Sequence, residues 1–154
     1  MSALEQLYQQ VILEHAKRPT GRGVVADVAP GPGESVGRSH QVNPTCGDEV
    51  TLLVVLNGGA VAQLVWEGQG CSISQASTSV MTGLVVGDSA DQALRLSGLF
   101  SALMASRGKG LDSEDEMDAL GDATAFTGTS QYPARIKCAL LGWAALRDAI
   151  AVAS

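Results

Sequence analysis

The sequence has 154 residues, of which 45% are hydrophobic, so it is long enough to bury one substantial core and we expect a single domain over residues 1–154. Acidic residues outnumber basic ones by 16 to 10, and the resulting net charge of −6, without any run of basic residues, argues against nucleic acid or an anionic membrane as a partner. No apolar run approaches the ~20 residues that cross a bilayer, and the beginning of the sequence lacks the pattern of an export signal. We therefore expect a soluble, cytoplasmic protein.

The first predicted element is an amphipathic helix that begins after Ser2 and ends before Pro19 and Gly21. Its apolar residues recur at helical spacing: Leu4, Leu7, Tyr8, Val11 and Ile12. The stretch over residues 28–37 is rich in proline and glycine, which predicts an irregular connection.

A β-hairpin is predicted next. Residues 49–56 are rich in valine, leucine and threonine, and an apolar pattern resumes over residues 60–66. The Asn-Gly-Gly sequence between them tolerates the positive φ angles of a tight turn. Residues 35–42 could add a third strand, and three strands with one face covered by helices would be stable.

The remaining chain shows helical patterns. One helix is predicted from Cys71 to Gly87, and a second begins where Ser89 and Gln92 stand at capping-box spacing. Residues 112–118 are acidic and predict an exposed short helix or loop. The last helix is predicted to open at Pro133, since proline is favoured in a first helical turn.

Three cysteines are the residues most capable of chemistry. An odd number without an export signal argues against a disulfide framework and leaves metal binding, a reactive thiol or simple burial. Cys46 lies in a turn two residues before Asp48, Cys71 at a helix start, and Cys138 in the first turns of the last helix. Three thiolates and one carboxylate match the four ligands that Zn²⁺ favours, although the spacing alone does not distinguish this site from buried, structural cysteines.

The charges around Cys138 favour an anionic site. Arg135 stands in the first turn of a helix, where the helix dipole disfavours a cation, and Lys137 precedes the cysteine. A cluster of thiolates nearby would stabilise both, while ordinary solvation is the alternative. His15 and His40 have no partner at motif spacing, and the hydroxyl-rich stretch over residues 72–79 is expected to serve capping and packing.

Three motifs resemble SufU, the zinc-dependent branch of the IscU-like family. They are residues 43–48 (Asn-Pro-Thr-Cys-Gly-Asp), residues 68–79 (beginning Gly-Gln-Gly-Cys-Ser) and residues 132–139 (Tyr-Pro-Ala-Arg-Ile-Lys-Cys-Ala). The resemblance covers essentially the whole chain. IscU-type scaffolds carry a histidine immediately before the third cysteine, whereas this sequence has Lys137, and SufU-type chains carry an insertion that would fall around residues 108–127.

The resemblance implies an α+β fold of the IscU/NifU-N type, with a small three-stranded antiparallel sheet and helices packed on one face. It implies zinc bound by Cys46, Asp48, Cys71 and Cys138, with Arg135 in a supporting role. It also implies sulfurtransferase activity together with a SufS-type, pyridoxal-phosphate-dependent cysteine desulfurase. Cys46 would accept persulfide sulfur after a histidine of the desulfurase displaces it from zinc, and the sulfur would pass to SUF iron–sulfur cluster assembly.

Two other interpretations remain open. The same residues could assemble an iron–sulfur cluster on an IscU-type scaffold, although the missing histidine weighs against this interpretation. In a different class, zinc could only hold three chain segments together in a binding module.

Overall fold

The structure of the chain, a computed structural model, describes residues 2–154. Within them, five α-helices and a three-stranded antiparallel sheet form an α+β fold, which confirms the predicted fold class. The helices are α1 (Ala3–Lys17), α2 (Ser72–Val85), α3 (Ala90–Met104), α4 (Glu114–Leu120) and α5 (Pro133–Ala153), and the strands are β1 (Glu34–Asn43), β2 (Asp48–Asn57) and β3 (Ala60–Gln69). None of these helices is long and apolar enough to span a membrane.

The sheet has the order β1-β2-β3, so the predicted hairpin and the third strand are both confirmed. Gly58 and Gly59 adopt φ angles of +60° and +82° in the hairpin turn, a conformation that glycine adopts without a steric penalty. Strand β1 begins earlier than the composition suggested, because Glu34 pairs with Asn57 at the far end of β2. The irregular connection therefore ends at residue 33 rather than 37.

The main core lies between the sheet and the helices, as predicted. Alternate residues of β2 point to opposite faces, so Leu52 and Val54 join the helix-covered core while Leu53 and Val55 pack against Val25 on the other side. Both tryptophans are core residues, each only 1% exposed. The ring of Trp143 stacks on Phe100 with centroids 4.9 Å apart, which joins α5 to α3.

The ends of the helices follow the sequence signals. Ser89 accepts a hydrogen bond from the Gln92 N–H at 3.0 Å, which confirms the predicted cap of α3. The acidic segment forms α4, whose cap is Ser113. Two 3₁₀ turns follow, Gly121–Phe126 and Gly128–Gln131. They were not predicted from the sequence, because such short turns have no helical periodicity.

Ser79 ties α1 to α2 at a fully buried position. Its Oγ accepts a hydrogen bond from the Thr20 N–H at 2.7 Å and lies 2.6 Å from Nδ1 of His15. His15 therefore has a structural role, as a hydrogen-bond partner of Ser79. The other hydroxyl groups of α2 serve packing as expected; for example, Ser77 donates to the Ala139 carbonyl of α5.

Replacing Ser79 with alanine is expected to destabilise the fold by about 1–3 kcal/mol, because Thr20 and His15 each lose a buried partner. Ser97→Ala is the matched control. Ser97 is also buried in a helix, but its Oγ has no hydrogen-bond partner within residues 2–154, so its removal should be neutral or stabilising. Urea denaturation of both variants measures the difference, and equal midpoints would contradict the role given to Ser79.

Candidate metal centre

The loop between β1 and β2 presents Cys46 to solvent. The buried Asn43 side chain accepts a hydrogen bond from the Thr45 N–H at 3.2 Å, and the Gly47 N–H donates to the Asn43 carbonyl at 2.9 Å. Such local bonds from an asparagine side chain close tight turns. The result is an exposed Cys46 two residues before Asp48, which is the first residue of β2.

Asp48 connects this loop to the beginning of α2. Its side chain is buried, with 1% exposed. Oδ1 accepts a hydrogen bond from the Cys71 N–H at 2.9 Å, and Oδ2 accepts one from the Cys46 thiol at 3.0 Å. A buried carboxylate is stable only with such partners, so the position of Asp48 defines the centre of the site.

The three cysteines approach Asp48 from different elements. Cys46 Sγ lies 3.5 Å from Sγ of Cys138, which is buried in the second turn of α5. Ligand atoms of Cys46, Asp48 and Cys138 all lie within 4.8 Å of one another and could hold a metal ion. Cys71, the exposed residue that precedes α2, has its Sγ 3.8 Å from Asp48 Oδ2 but lies outside that closest group.

The cluster changes the acidity of its members. Burial by itself would raise the pKa of Asp48, but hydrogen bonds from Cys138, Cys46 and Cys71 outweigh it and lower the pKa below the ordinary value. The pKa of the Cys138 thiol is strongly raised, first by burial and then by its hydrogen bonds with Asp48 and the other two thiols. A Cys138 thiolate therefore requires a positive charge in the cluster.

This donor set fits zinc. Two Zn–S bonds of about 2.3 Å in a tetrahedral arrangement place the sulfur atoms about 3.8 Å apart, close to the 3.5 Å between Cys46 and Cys138. A divalent cation would supply the positive charge that the thiol groups need in order to lose their protons. The chemistry of Cys46, Asp48 and Cys138 thus agrees with a metal centre.

Arg135 lies at the edge of this region without touching the cluster. Its guanidinium group stands 5.0 Å above the ring of Tyr132, and its side chain is exposed. Within the described residues, no hydrogen bond or ion pair joins Arg135 or Lys137 to Asp48 or a thiol. The histidines also stay outside the site: His15 contacts Ser79, and His40 lies 3.3 Å from Glu49.

Gly70 is a positioning residue that spacing arguments missed. A Cβ atom added there would lie 2.7 Å from Cγ of Asp48 and 2.8 Å from Oγ of Ser74, and closer still to Oδ1 of Asp48. Only glycine leaves room for the buried carboxylate beneath the loop that leads into α2. The glycine-rich segment signals a close approach, but the contact with a residue 22 positions earlier is visible only in the folded chain.

The chain is similar in sequence to known proteins. The family model described as NifU-like N terminal domain matches residues 7–151. The chain is 42% identical to the zinc-dependent sulfurtransferase SufU of Bacillus subtilis (strain 168) over 96% of its own length and 92% of the relative. It is 37% identical to the iron–sulfur cluster assembly scaffold protein IscU of Streptococcus pyogenes serotype M1, covering 97% of this chain and 86% of that protein.

A solved structure confirms the fold. The crystal structure of the N-terminal part of a nitrogen-fixing NifU-like protein from Brucella abortus superposes with a TM-score of 0.78 at 25% identity, covering 98% of this chain and 96% of the other. The motifs, the fold and these relatives agree over nearly the full length of the sequence. The chain therefore belongs to the NifU-N/IscU family of iron–sulfur cluster assembly proteins, which includes SufU.

Proposed function

We propose that residues 1–154 act as one domain in the cytoplasm, as a zinc-dependent sulfurtransferase of the SufU type. The domain would take persulfide sulfur from a SufS-type cysteine desulfurase and pass it to SUF cluster assembly. The observation that carries this proposal is the approach of three thiols to the buried Asp48 carboxylate, with Cys46 exposed on the loop between β1 and β2. The relative from B. subtilis, which is named for this activity, supports the same conclusion.

In this proposal Cys46, Asp48, Cys71 and Cys138 bind one zinc ion. Zinc has no redox chemistry, and it would hold thiol sulfur in the deprotonated form at neutral pH. Asp48 orients the site because its two oxygens accept hydrogen bonds from different ligand residues. Oδ2 accepts one from the Cys46 thiol, and Oδ1 accepts one from the backbone N–H of Cys71. Arg135 does not touch the cluster, and its proposed role is supporting. Its positive charge would help to neutralise the anionic cluster or would contact the desulfurase.

Cys46 is the proposed acceptor because it differs from the other two thiols. Cys138 is buried in α5, and the Cys71 backbone is held by Asp48 at the beginning of α2, whereas Cys46 lies on an exposed loop. The Cys46 thiolate attacks the terminal sulfur of the desulfurase persulfide and forms a new S–S bond. The bond between the two sulfurs of that persulfide breaks, and the desulfurase cysteine leaves as a thiolate, so no external electrons are needed.

Metal analysis combined with a desulfurase assay tests the proposal. The purified protein is expected to carry one zinc per chain, since three thiolates and a carboxylate complete a tetrahedral shell. Adding it to a SufS-type desulfurase should accelerate release of alanine from cysteine. A protein without zinc, or a turnover that stays the same, would contradict the proposed function.

An IscU-type scaffold is the second candidate, and the 37% identity to the S. pyogenes protein favours it. Three thiols and a carboxylate could hold a [2Fe–2S] cluster. Anaerobic reconstitution with iron and sulfide separates the two candidates. A stable cluster chromophore formed without prior removal of zinc would support the scaffold and count against the sulfurtransferase.

If zinc had only a structural role, the desulfurase assay and the removal of zinc would give different results. A purely structural zinc module would leave desulfurase turnover unchanged and lose much of its fold with the metal. The main core here is built without the cluster, from the sheet, α2, α3 and α5. We therefore expect the zinc-free protein to keep most of its helical circular dichroism signal and to melt at a lower temperature.

A further inference from the structure

Two of the three thiols lie in direct contact. Cys46 Sγ is 3.5 Å from Cys138 Sγ, although the two residues are 92 positions apart in the chain. Both cysteines are free thiols. The two sulfur atoms of a disulfide are about 2.05 Å apart, so a further approach of about 1.5 Å would join them. The fold therefore holds a pair of thiols that an oxidant can couple.

The movement that this bond requires falls on Cys46. Cys46 lies on the loop between β1 and β2, and the space beside its neighbour Gly47 is open, because a Cβ atom there would meet no atom within 4 Å. Cys138 is held in the second turn of α5, with its Sγ 3.6 Å from the Ala134 carbonyl oxygen. A surface loop moves more readily than a packed helix. Cys46 can thus close the gap while Cys138 stays in place.

Cys71 is placed less well to form a disulfide with either thiol. Its Sγ lies outside the group in which ligand atoms of Cys46, Asp48 and Cys138 are within 4.8 Å of one another. Its backbone N–H donates to Oδ1 of Asp48 at 2.9 Å, which holds Cys71 at the beginning of α2. Geometry therefore selects one of the three possible pairs, Cys46 with Cys138.

The two members of this pair differ in their access to solvent. Cys46 is exposed, whereas only 6% of Cys138 is exposed. A peroxide in solution would therefore reach the Cys46 sulfur first, because oxidation follows the exposure of the thiol. Cys138 lies directly behind it on the protein side. An accessible cysteine beside a second, resolving cysteine is the arrangement of redox-sensitive sites.

We propose that hydrogen peroxide converts Cys46 and Cys138 into a reversible disulfide, and that this bond releases zinc from the metal centre. The inference rests on the proposed function only in taking both residues as zinc ligands. Zinc binds thiolates, so after oxidation only Asp48 and Cys71 would remain as ligands. The disulfide would also protect Cys46 from the sulfinic and sulfonic acids, which are irreversible products.

The reaction consumes one peroxide molecule and needs no other reagent. The Cys46 sulfur first takes one oxygen atom as the O–O bond breaks, which gives a sulfenic acid, and the other oxygen leaves as water. The Cys138 sulfur then attacks the Cys46 sulfur and forms the S–S bond. The S–O bond breaks, and the hydroxyl group leaves as water with the thiol proton of Cys138. The two thiols together lose two electrons and two protons, and a dithiol reductant returns them.

Peptide mapping of the zinc-loaded protein after one equivalent of hydrogen peroxide tests the pairing. Remaining thiols are blocked, and the unreduced chain is cleaved after glutamate. Glu49 lies between Cys46 and Cys71, and Glu116 lies between Cys71 and Cys138, so each cysteine is on its own peptide. We expect the Cys46 and Cys138 peptides to be linked, with the loss of two hydrogen atoms, in a protein that stays monomeric on a non-reducing gel. Dithiothreitol should separate them.

Two variants that each lack one proposed ligand thiol form a matched pair. Cys71→Ser should still form the disulfide between Cys46 and Cys138. Cys138→Ser should form none, and its Cys46 peptide should gain two oxygen atoms as a sulfinic acid, because the resolving thiol is gone. Cys138→Ala is a second form of this variant without the buried hydroxyl group and should give the same result.

Zinc release is measured in the wild-type protein with a chromogenic chelator. One zinc ion should be released for each disulfide formed, and reduction with dithiothreitol should restore zinc binding. A disulfide that includes Cys71, a sulfinic acid on wild-type Cys46 without a disulfide, or zinc retained after the bond forms would each overturn the inference.

These outcomes are distinct from those of the sulfurtransferase assay, because no desulfurase takes part. A protein that stimulates the desulfurase but does not link Cys46 to Cys138 would contradict only the present inference. A protein that forms the disulfide but leaves desulfurase turnover unchanged would contradict only the proposed function.

Discussion

Replacing Cys46 with serine is expected to reduce desulfurase turnover to the level of the desulfurase alone. A hydroxyl group is not deprotonated at neutral pH and does not attack a persulfide, whereas a thiolate does. Cys71 is also exposed, but its backbone N–H is held by Asp48, so it should not substitute for Cys46. The measurement is alanine formation, combined with mass spectrometry of the protein after one turnover.

Because Cys46 is also a proposed metal ligand, Cys46→Asp is the matched variant. A carboxylate keeps the charge and can bind zinc, but it carries no sulfur. We expect this variant to retain zinc and to lose stimulation of the desulfurase. In the wild-type protein, one added sulfur atom should be found on the peptide that contains Cys46. Added sulfur on Cys71 or Cys138, or near wild-type stimulation by either variant, would contradict the assignment of the acceptor.

Replacing Gly70 with alanine is expected to weaken zinc binding by about 10–100-fold, the range for residues that orient metal ligands. The new Cβ would lie 2.7 Å from Cγ of Asp48, closer than such atoms approach one another. Asp48 is buried and fixed by the Cys71 N–H, so it must turn away from the thiols or the loop must shift. Competition with a chromogenic chelator measures the zinc affinity.

Gly98→Ala is the control for this change. Gly98 lies within α3, and a Cβ added there would meet no atom within 4 Å. Alanine at such a position should preserve zinc affinity and stabilise the helix by about 0.5–1 kcal/mol. If Gly70→Ala bound zinc as tightly as Gly98→Ala, the contact between Gly70 and Asp48 would have no part in forming the metal centre.

Local patterns in the sequence predicted the elements of the fold well. The hairpin turn after Asn57, the cap at Ser89 and the opening of α5 at Pro133 depend on residues close together in the chain, and all three are confirmed. The two 3₁₀ turns after α4 were not predicted. Residues such as Phe126 are buried there by contacts with distant elements, for example the edge-to-face contact with Phe100.

For the metal centre too, the sequence predicted some features and only the structure showed the others. Residue types and the resemblance to SufU gave the four candidate ligands, because thiols and carboxylates are the groups that bind zinc. The structure brings Cys46, Asp48 and Cys138 within 4.8 Å of one another, and it leaves Arg135 stacked on Tyr132 instead of touching the cluster. No spacing rule relates Cys46 to Cys138, since they are 92 positions apart.

By itself, the sequence determined the five helices and three strands and the chemical identity of the candidate ligands, since these depend on residue type and on neighbours along the chain. Its resemblance to the IscU-like family gave the fold class. Only the tertiary structure decided how Gly70 makes room for Asp48, and how Cys46 comes to lie beside Cys138. Those contacts arise when helices and strands pack, because packing joins residues by their distance in space and not by their separation in sequence.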